Sequence, residues 1–134
     1  MKKTIATTIS QYNKLQTKHL KDICDLLELH INKNLKKSES KIWHGSPVWF
    51  LDGNPVVAYS VRRSGSVSLM FFSGQDFKEK YLKPEGKFKA AEIPYTNVKE
   101  VKTTDLKKWL KKAETIQWDY KNIVKRKGVL LKLK

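Results

Sequence analysis

The spacing of hydrophobic positions along the chain changes twice, and each change marks an element boundary. From Ser10 or Thr17 to about Asn34, Tyr12, Leu15, Leu20, Ile23, Leu26, Leu27, His30 and Ile31 recur at a period near 3.6, which predicts an amphipathic helix. Lys14, Lys18, Lys21, Asp22, Asp25 and Glu28 fall on its other face. From residue 41 the period drops to two. Residues 41–44, 48–51, 56–61 and 67–72 read as strands, and Asp52-Gly53-Asn54-Pro55 carries the turn chemistry that joins antiparallel neighbours. Gly45-Ser46-Pro47 reads as a bend and Ser64-Gly65 as a two-residue turn. Val67, Leu69 and Phe71 alternate with serines until Met70 and Phe72 make both faces apolar, so that end of the sheet is covered on both sides or lines a pocket.

Residues 74–82 predict a short helix with Phe77 and Tyr81 on one side, residues 83–87 a loop, and residues 88–95 a further strand. Pro94 gives that strand an edge position, because proline cannot donate to a central ladder. Thr103 or Thr104 caps a second long helix with an apolar stripe of Leu106, Trp109, Leu110, Ala113, Ile116, Tyr120, Ile123 and Val124. Gly128 stops it, and residues 129–134 read as a tail or a last short strand. Residues 1–9 are expected to fray. The fold class is thus α+β: one domain, with an antiparallel meander of about four to five strands packed against N- and C-terminal helices.

One residue interrupts the second stripe. On an unbroken helix Trp118 points away from the apolar arc, among Lys107, Lys111, Lys121 and Lys125. Either the helix breaks near Ile116 and Trp118 packs, which is the preferred reading, or an exposed tryptophan sits in a basic row able to stack on bases.

Composition narrows the function classes. The 134 residues carry a net charge of +15, yet only Arg62, Arg63 and Arg126 of the 28 basic residues are arginine. Lysine is a solvated point charge, whereas base-edge readout and bidentate phosphate clamps favour arginine. This composition predicts weak, salt-sensitive attraction to polyanions and makes a lysine-rich nucleic-acid-binding module the alternative function. The lone cysteine, Cys24, allows no internal disulfide and suits a reducing cytoplasm. No apolar stretch follows Lys2 and Lys3 as in a signal peptide, and none is long enough for a bilayer span.

Two clusters carry candidate chemistry. Trp43, His44, Pro47 and Trp49, joined by Phe71 and Phe72 from a paired strand, combine a titratable imidazole with aromatic walls and predict a ligand-sized concavity. The bland alternative is that they fill the strand end as core. Asp22, Asp25 and Glu28 form an acidic row that suits a hard cation, although ion pairs of Lys18 with Asp22 and Lys21 with Asp25 account for it equally simply. His30 reads as a packed core histidine, and Cys24 as a helix-interior thiol with no basic neighbour to activate it. No nucleophile elbow, P-loop, paired cysteines or H-E-x-x-H is present, so no catalytic residues are assigned.

The stretch Ile42-Trp43-His44-Gly45-Ser46-Pro47-Val48-Trp49-Phe50, followed by Asp52-Gly53-Asn54-Pro55, resembles the signature hairpin of the YdhG-like family (domain-of-unknown-function family 1801). Phe71-Phe72-Ser73-Gly74, Leu82-Lys83-Pro84-Glu85-Gly86 and the run from Ile116 to Val124 resemble one branch of it. The resemblance covers roughly residues 15 to 130 and implies a compact α+β domain with an antiparallel sheet. It also implies a frataxin-like role as an iron-handling accessory protein, with iron as the metal and an iron-handling protein as partner. Frataxin-type binding uses a dense ridge of exposed carboxylates. Here 13 acidic residues face 28 basic ones, a field that repels free Fe²⁺.

Overall fold

The computed structural model describes residues 6–134. Its sheet grows from tight hairpins. β1 (Glu39–Trp43) enters β2 (Ser46–Leu51) through His44-Gly45, and β2 enters β3 (Asn54–Arg62) through Asp52-Gly53. Both turns have positive φ at both positions, 52° and 81° in the first and 51° and 79° in the second. That is the type I′ signature, whose twist matches the twist of the flanking strands. Asp52-Gly53 has the composition such a turn prefers. His44-Gly45 corrects the expected bend at Gly45-Ser46-Pro47: Ser46 and Pro47 are ladder residues opposite Trp43 and Ile42. The link from β3 to β4 (Ser66–Phe71) is also one residue longer than expected, spanning residues 63–65 and closed by the Gly65 N–H on the Arg62 carbonyl.

The sheet has six antiparallel strands in the order β1-β2-β3-β4-β6-β5. The first four form the expected meander. β5 (Lys83–Pro84) pairs only with Ala91 and Glu92 of β6 (Ala91–Tyr95), so Pro94 has no neighbour on that side and takes the predicted edge position. Gly74–Phe77 is a single 3₁₀ turn and not the start of a helix to residue 82; Lys78, at φ 58°, reverses the chain there and leaves Tyr81 exposed.

Three helices cover one sheet face: α1 (Ile9–Lys14), α2 (Lys18–Asn34) and α3 (Thr103–Thr115). The Thr8 hydroxyl caps α1 by accepting from the Gln11 N–H at 3.1 Å, so helix begins inside the stretch expected to fray; residues 1–5 of that stretch lie outside the described residues. Val57, Tyr59, Val67, Leu69 and Phe71 alternate onto the covered face. They pack with Ile23, Leu27 and Ile31 of α2 and with Leu106, Trp109, Leu110 and Ala113 of α3, all buried. Each such aliphatic side chain contributes on the order of 1.5–3 kcal/mol through burial. His30 is only half-buried, at the margin of this core. No helix among the described residues is long and apolar enough to cross a membrane.

α3 ends earlier than its stripe suggests. The cap residue Ile116 is already extended, at φ −123° and ψ 105°, so Tyr120, Ile123 and Val124 are not helix-stripe residues, and Val124 is 85% exposed. Tertiary hydrogen bonds replace the helical ones. The buried Asn54 amide nitrogen donates to Gln117 Oε1 (3.1 Å) and the Trp118 carbonyl (3.0 Å), while its oxygen accepts from the Lys121 N–H (3.0 Å). The Gln117 N–H donates to the Lys134 carbonyl, and the Asp119 N–H to that of Leu131, which folds residues 129–134 back as a short bridge.

Candidate functional site

Strand alternation buries one face of the sheet under helices and leaves the other uncovered by them. On this open face Trp43, Ser46 and Val48 meet Ala58, Ser60 and Arg62 of β3 and Ser68 and Met70 of β4 around a concavity of about 220 Å³, with His44 and Phe72 also on its wall. Val48 and Ala58 line it as part of a second, smaller apolar cluster that also holds Phe50, with Phe72 against it.

Its rim is aromatic because the tight His44-Gly45 turn holds Trp43 at the very end of β1. Trp43 remains 36% exposed. Its ring centroid lies 4.3 Å from that of His44, 5.5 Å from Phe50 and 6.5 Å from Phe72. The opposite wall is polar. Ser68 donates to Glu92 Oε2 at 2.6 Å, and the Arg62 guanidinium donates to the same oxygen at 2.8 Å. The carboxylate thereby fixes the serine hydroxyl and one arm of the arginine, whose side chain stays 46% exposed. The early end of α3 adds an aromatic neighbour beyond Phe72. Tyr120 packs edge-on to Phe72 (5.4 Å) and Phe88 (6.4 Å), and its hydroxyl accepts from the Lys89 N–H at 3.0 Å. Burial raises the Tyr120 hydroxyl above its usual pKa, so it remains a neutral spacer.

The sequence-predicted pocket divides between the two faces. Trp43, His44 and Phe72 come together on the concavity. Trp49 and Phe71 are fully buried on the helix side: Trp49 Nε1 donates to Asn32 Oδ1 at 2.8 Å, and Phe71 packs against Phe77 and Trp109. Pro47 is buried and shares Trp49's parity. A period of two sends neighbouring strand residues to opposite faces, so an aromatic run in sequence is two half-sites in space. The residues the sequence reading missed, Ser60, Arg62, Ser68 and Glu92, were accessible through the same parity: they lie two or four positions from Ala58, Met70 and Pro94.

The acidic row is occupied by its own neighbours. Asp22 pairs with Lys18 at 2.9 Å and Asp25 with Lys21 at 2.7 Å. The buried Asn13 amide donates to Asp25 (3.0 Å) and Glu28 (2.9 Å) while accepting from the Tyr59 hydroxyl at 2.7 Å, so the row ties α1 and α2 to β3. Burial, then the Asp25 charge, raises the Glu28 carboxyl pKa. Among the described residues no three His, Cys, Asp or Glu side chains gather closely enough to hold a metal ion. Cys24 is buried, and desolvation pushes its thiol up to about 12.

The basic row of the sequence is also dispersed. Lys107 and Lys111 stay on the exposed side of α3, Lys125 is exposed beyond it, and the Lys121 ammonium donates to the Asp52 carbonyl at 2.8 Å. Trp118 packs, as the helix break requires: its Nε1 donates to Asp76 at 2.6 Å, its N–H donates to the Ser73 hydroxyl, and the Lys89 ammonium sits 4.6 Å from its ring centroid. Comparison with known proteins gave no match to this chain among family models, curated proteins or solved structures.

Proposed function

We propose that the chain is a non-enzymatic domain of the YdhG-like kind, working in the cytoplasm and binding a small ligand on the open face of its sheet. The observation that carries this reading is the concavity of about 220 Å³, in which an apolar floor, an exposed tryptophan and a polar wall of Ser68 and Arg62 converge. Apolar walls with a few fixed polar groups are the usual make-up of small-molecule sites. Cys24 is buried in the helix-covered core and adds no group to this face. An iron-handling role has less support, since the Asp22, Asp25 and Glu28 carboxylates are engaged by lysines and Asn13.

Amide chemical shifts of the ¹⁵N-labelled protein, recorded with a panel of small aromatic, anionic and cationic compounds, test the reading. Shifts grouped at residues 43–46, 58–62 and 68–72 are expected. Shifts confined to α2 or α3 would contradict it.

A further inference from the structure

We propose that this open face binds single-stranded nucleic acid, with one base seated in the concavity. The inference rests on the concavity being the ligand face and adds what the ligand is. At about 220 Å³ the concavity is smaller than the roughly 300–1,000 Å³ that encloses a whole drug-sized ligand. It suits a single planar ring that belongs to something larger. The surroundings describe the larger part. Aromatic rings continue away from the rim without a break, from Trp43 to Phe72 to Tyr120 to Phe88, with successive centroids 6.5, 5.4 and 6.4 Å apart.

Lysines stand at both ends of that row. The Lys41 ammonium lies 5.1 Å from the Phe50 ring centroid beside Trp43, and Lys87 lies 5.3 Å from that of Phe88. The Lys89–Trp118 pair borders Tyr120. On the face itself Glu92 is already bonded to Arg62 and Ser68. A polyanion whose units carry flat rings matches this combination, with rings against rings and phosphates against ammonium groups. A duplex does not match it, because its bases are stacked inward. A free nucleotide fills the concavity but leaves the distant lysines unused. The arrangement also resolves the arginine shortage: stacking and point charges bind strands without reading base edges.

Fluorescence anisotropy with a labelled oligothymidylate of roughly ten nucleotides tests the proposal, with a duplex of equal length, heparin and thymidine monophosphate as competitors over a salt series. The expected result is binding of the single strand at about 0.15 M salt, with duplex and heparin roughly tenfold weaker or more. Trp43→Ala is expected to lower single-strand affinity about tenfold at every salt concentration and to leave heparin binding unchanged; Trp43→Phe, which keeps a ring, restores most of it. Lys41→Gln with Lys87→Gln is expected to flatten the salt dependence for strand and heparin alike. Equal affinity for duplex and single strand, or a Trp43→Ala variant that binds oligothymidylate like the parent, overturns the proposal. If thymidine monophosphate shifts amides around the concavity but the oligonucleotide binds no tighter, the strand is wrong and the ligand face stands. If neither binds there while another compound of the panel does, base recognition is wrong and the ligand face again stands.

Discussion

Phe71 and Phe72 are neighbours in sequence and lead different lives. Phe71 is fully buried between Phe77 and Trp109 under α3, whereas Phe72 lies half-buried on the open face beside Trp43 and Tyr120. Trp49 and Trp43 repeat the contrast one hairpin away. The first is fully buried and hydrogen-bonded to Asn32; the second is 36% exposed at the rim of the concavity. Each pair joins two aromatic residues from the same hairpin or strand end, so residue type and strand propensity do not separate them. What separates them is parity against a helical layer. The covered face supplies the burial that holds the fold, and the open face leaves similar side chains partly exposed.

Truncation breaks the comparison most sharply on the covered side. Phe71→Ala is expected to cost about 3–5 kcal/mol and Leu69→Ala about 2–5, while Phe72→Ala costs roughly 1–2, all by urea denaturation. If Phe72 costs as much as Phe71, the open face is a second core. Asn54→Ala comes next. It strands the Gln117 amide, the Trp118 carbonyl and the Lys121 N–H at once, and leaving buried polar groups unpaired costs about 1–3 kcal/mol. Hydrogen exchange should accelerate at residues 117–124 well before the strands. Exchange that speeds uniformly would mean the C-terminal segment is no separate unit.

The covered core and the segment after α3 are also expected to fail at opposite ends of the pH scale. Burial raises the folded-state pKa of the Cys24 thiol to about 12 and also raises that of the Tyr59 hydroxyl. Their stabilising contribution is complete below their unfolded values, roughly 8.5 and 10, and is lost as pH rises beyond them toward the folded ones, because the unfolded chain then binds fewer protons. Hydrogen bonds from Asn122, then Arg126, hold the Asp119 carboxyl below its usual range despite its burial. Its contribution is present above the unfolded value near 3.9 and is lost as pH falls through the folded one. Alkaline unfolding should therefore start in the core, and acid should loosen residues 117–126 together with the Glu79 contacts to α3 and the Glu100 cap, whose carboxyls are also held low, as read by pH-dependent hydrogen exchange. The same segment leading at both extremes would contradict the assignment. The smallest effect concerns the turns. His44 occupies a positive-φ position that Asn fills more readily, as Asp52 shows in the companion turn. His44→Asn is expected to raise stability by a few tenths of a kcal/mol and to weaken ligand binding; a loss of several degrees in melting temperature would instead make His44 a packing residue.

Much of the architecture was legible in local pattern. The 3.6 and 2.0 periods placed α2 and the inner face of β3 and β4, and Asp52-Gly53 and Pro94 announced a tight turn and an edge. The misreadings share one cause. Trp118, lying off the apolar arc, announced the break near Ile116, but the partner that replaces the helical hydrogen bonds, Asn54, stands sixty-three positions from Gln117 and has no local signal. At His44-Gly45, Pro47 looked like a bend because proline breaks ladders, yet here its strand position pairs with Ile42. The candidate site was half legible: composition marked the aromatic cluster, but register decided that Trp43 and Phe72 share a face while Trp49 and Phe71 do not.

If one face of the sheet holds the fold and the other is free to bind, Trp49 and Trp43 must respond differently to truncation. Urea denaturation of Trp43→Ala beside Trp49→Ala tests it most directly. Trp49→Ala is expected to lose about 3–5 kcal/mol, and Trp43→Ala to stay within about 1.5 kcal/mol of the parent with an unchanged m-value. A Trp43→Ala variant as damaged as Trp49→Ala would show that the open face is core, and would contradict the assignment of a binding site there.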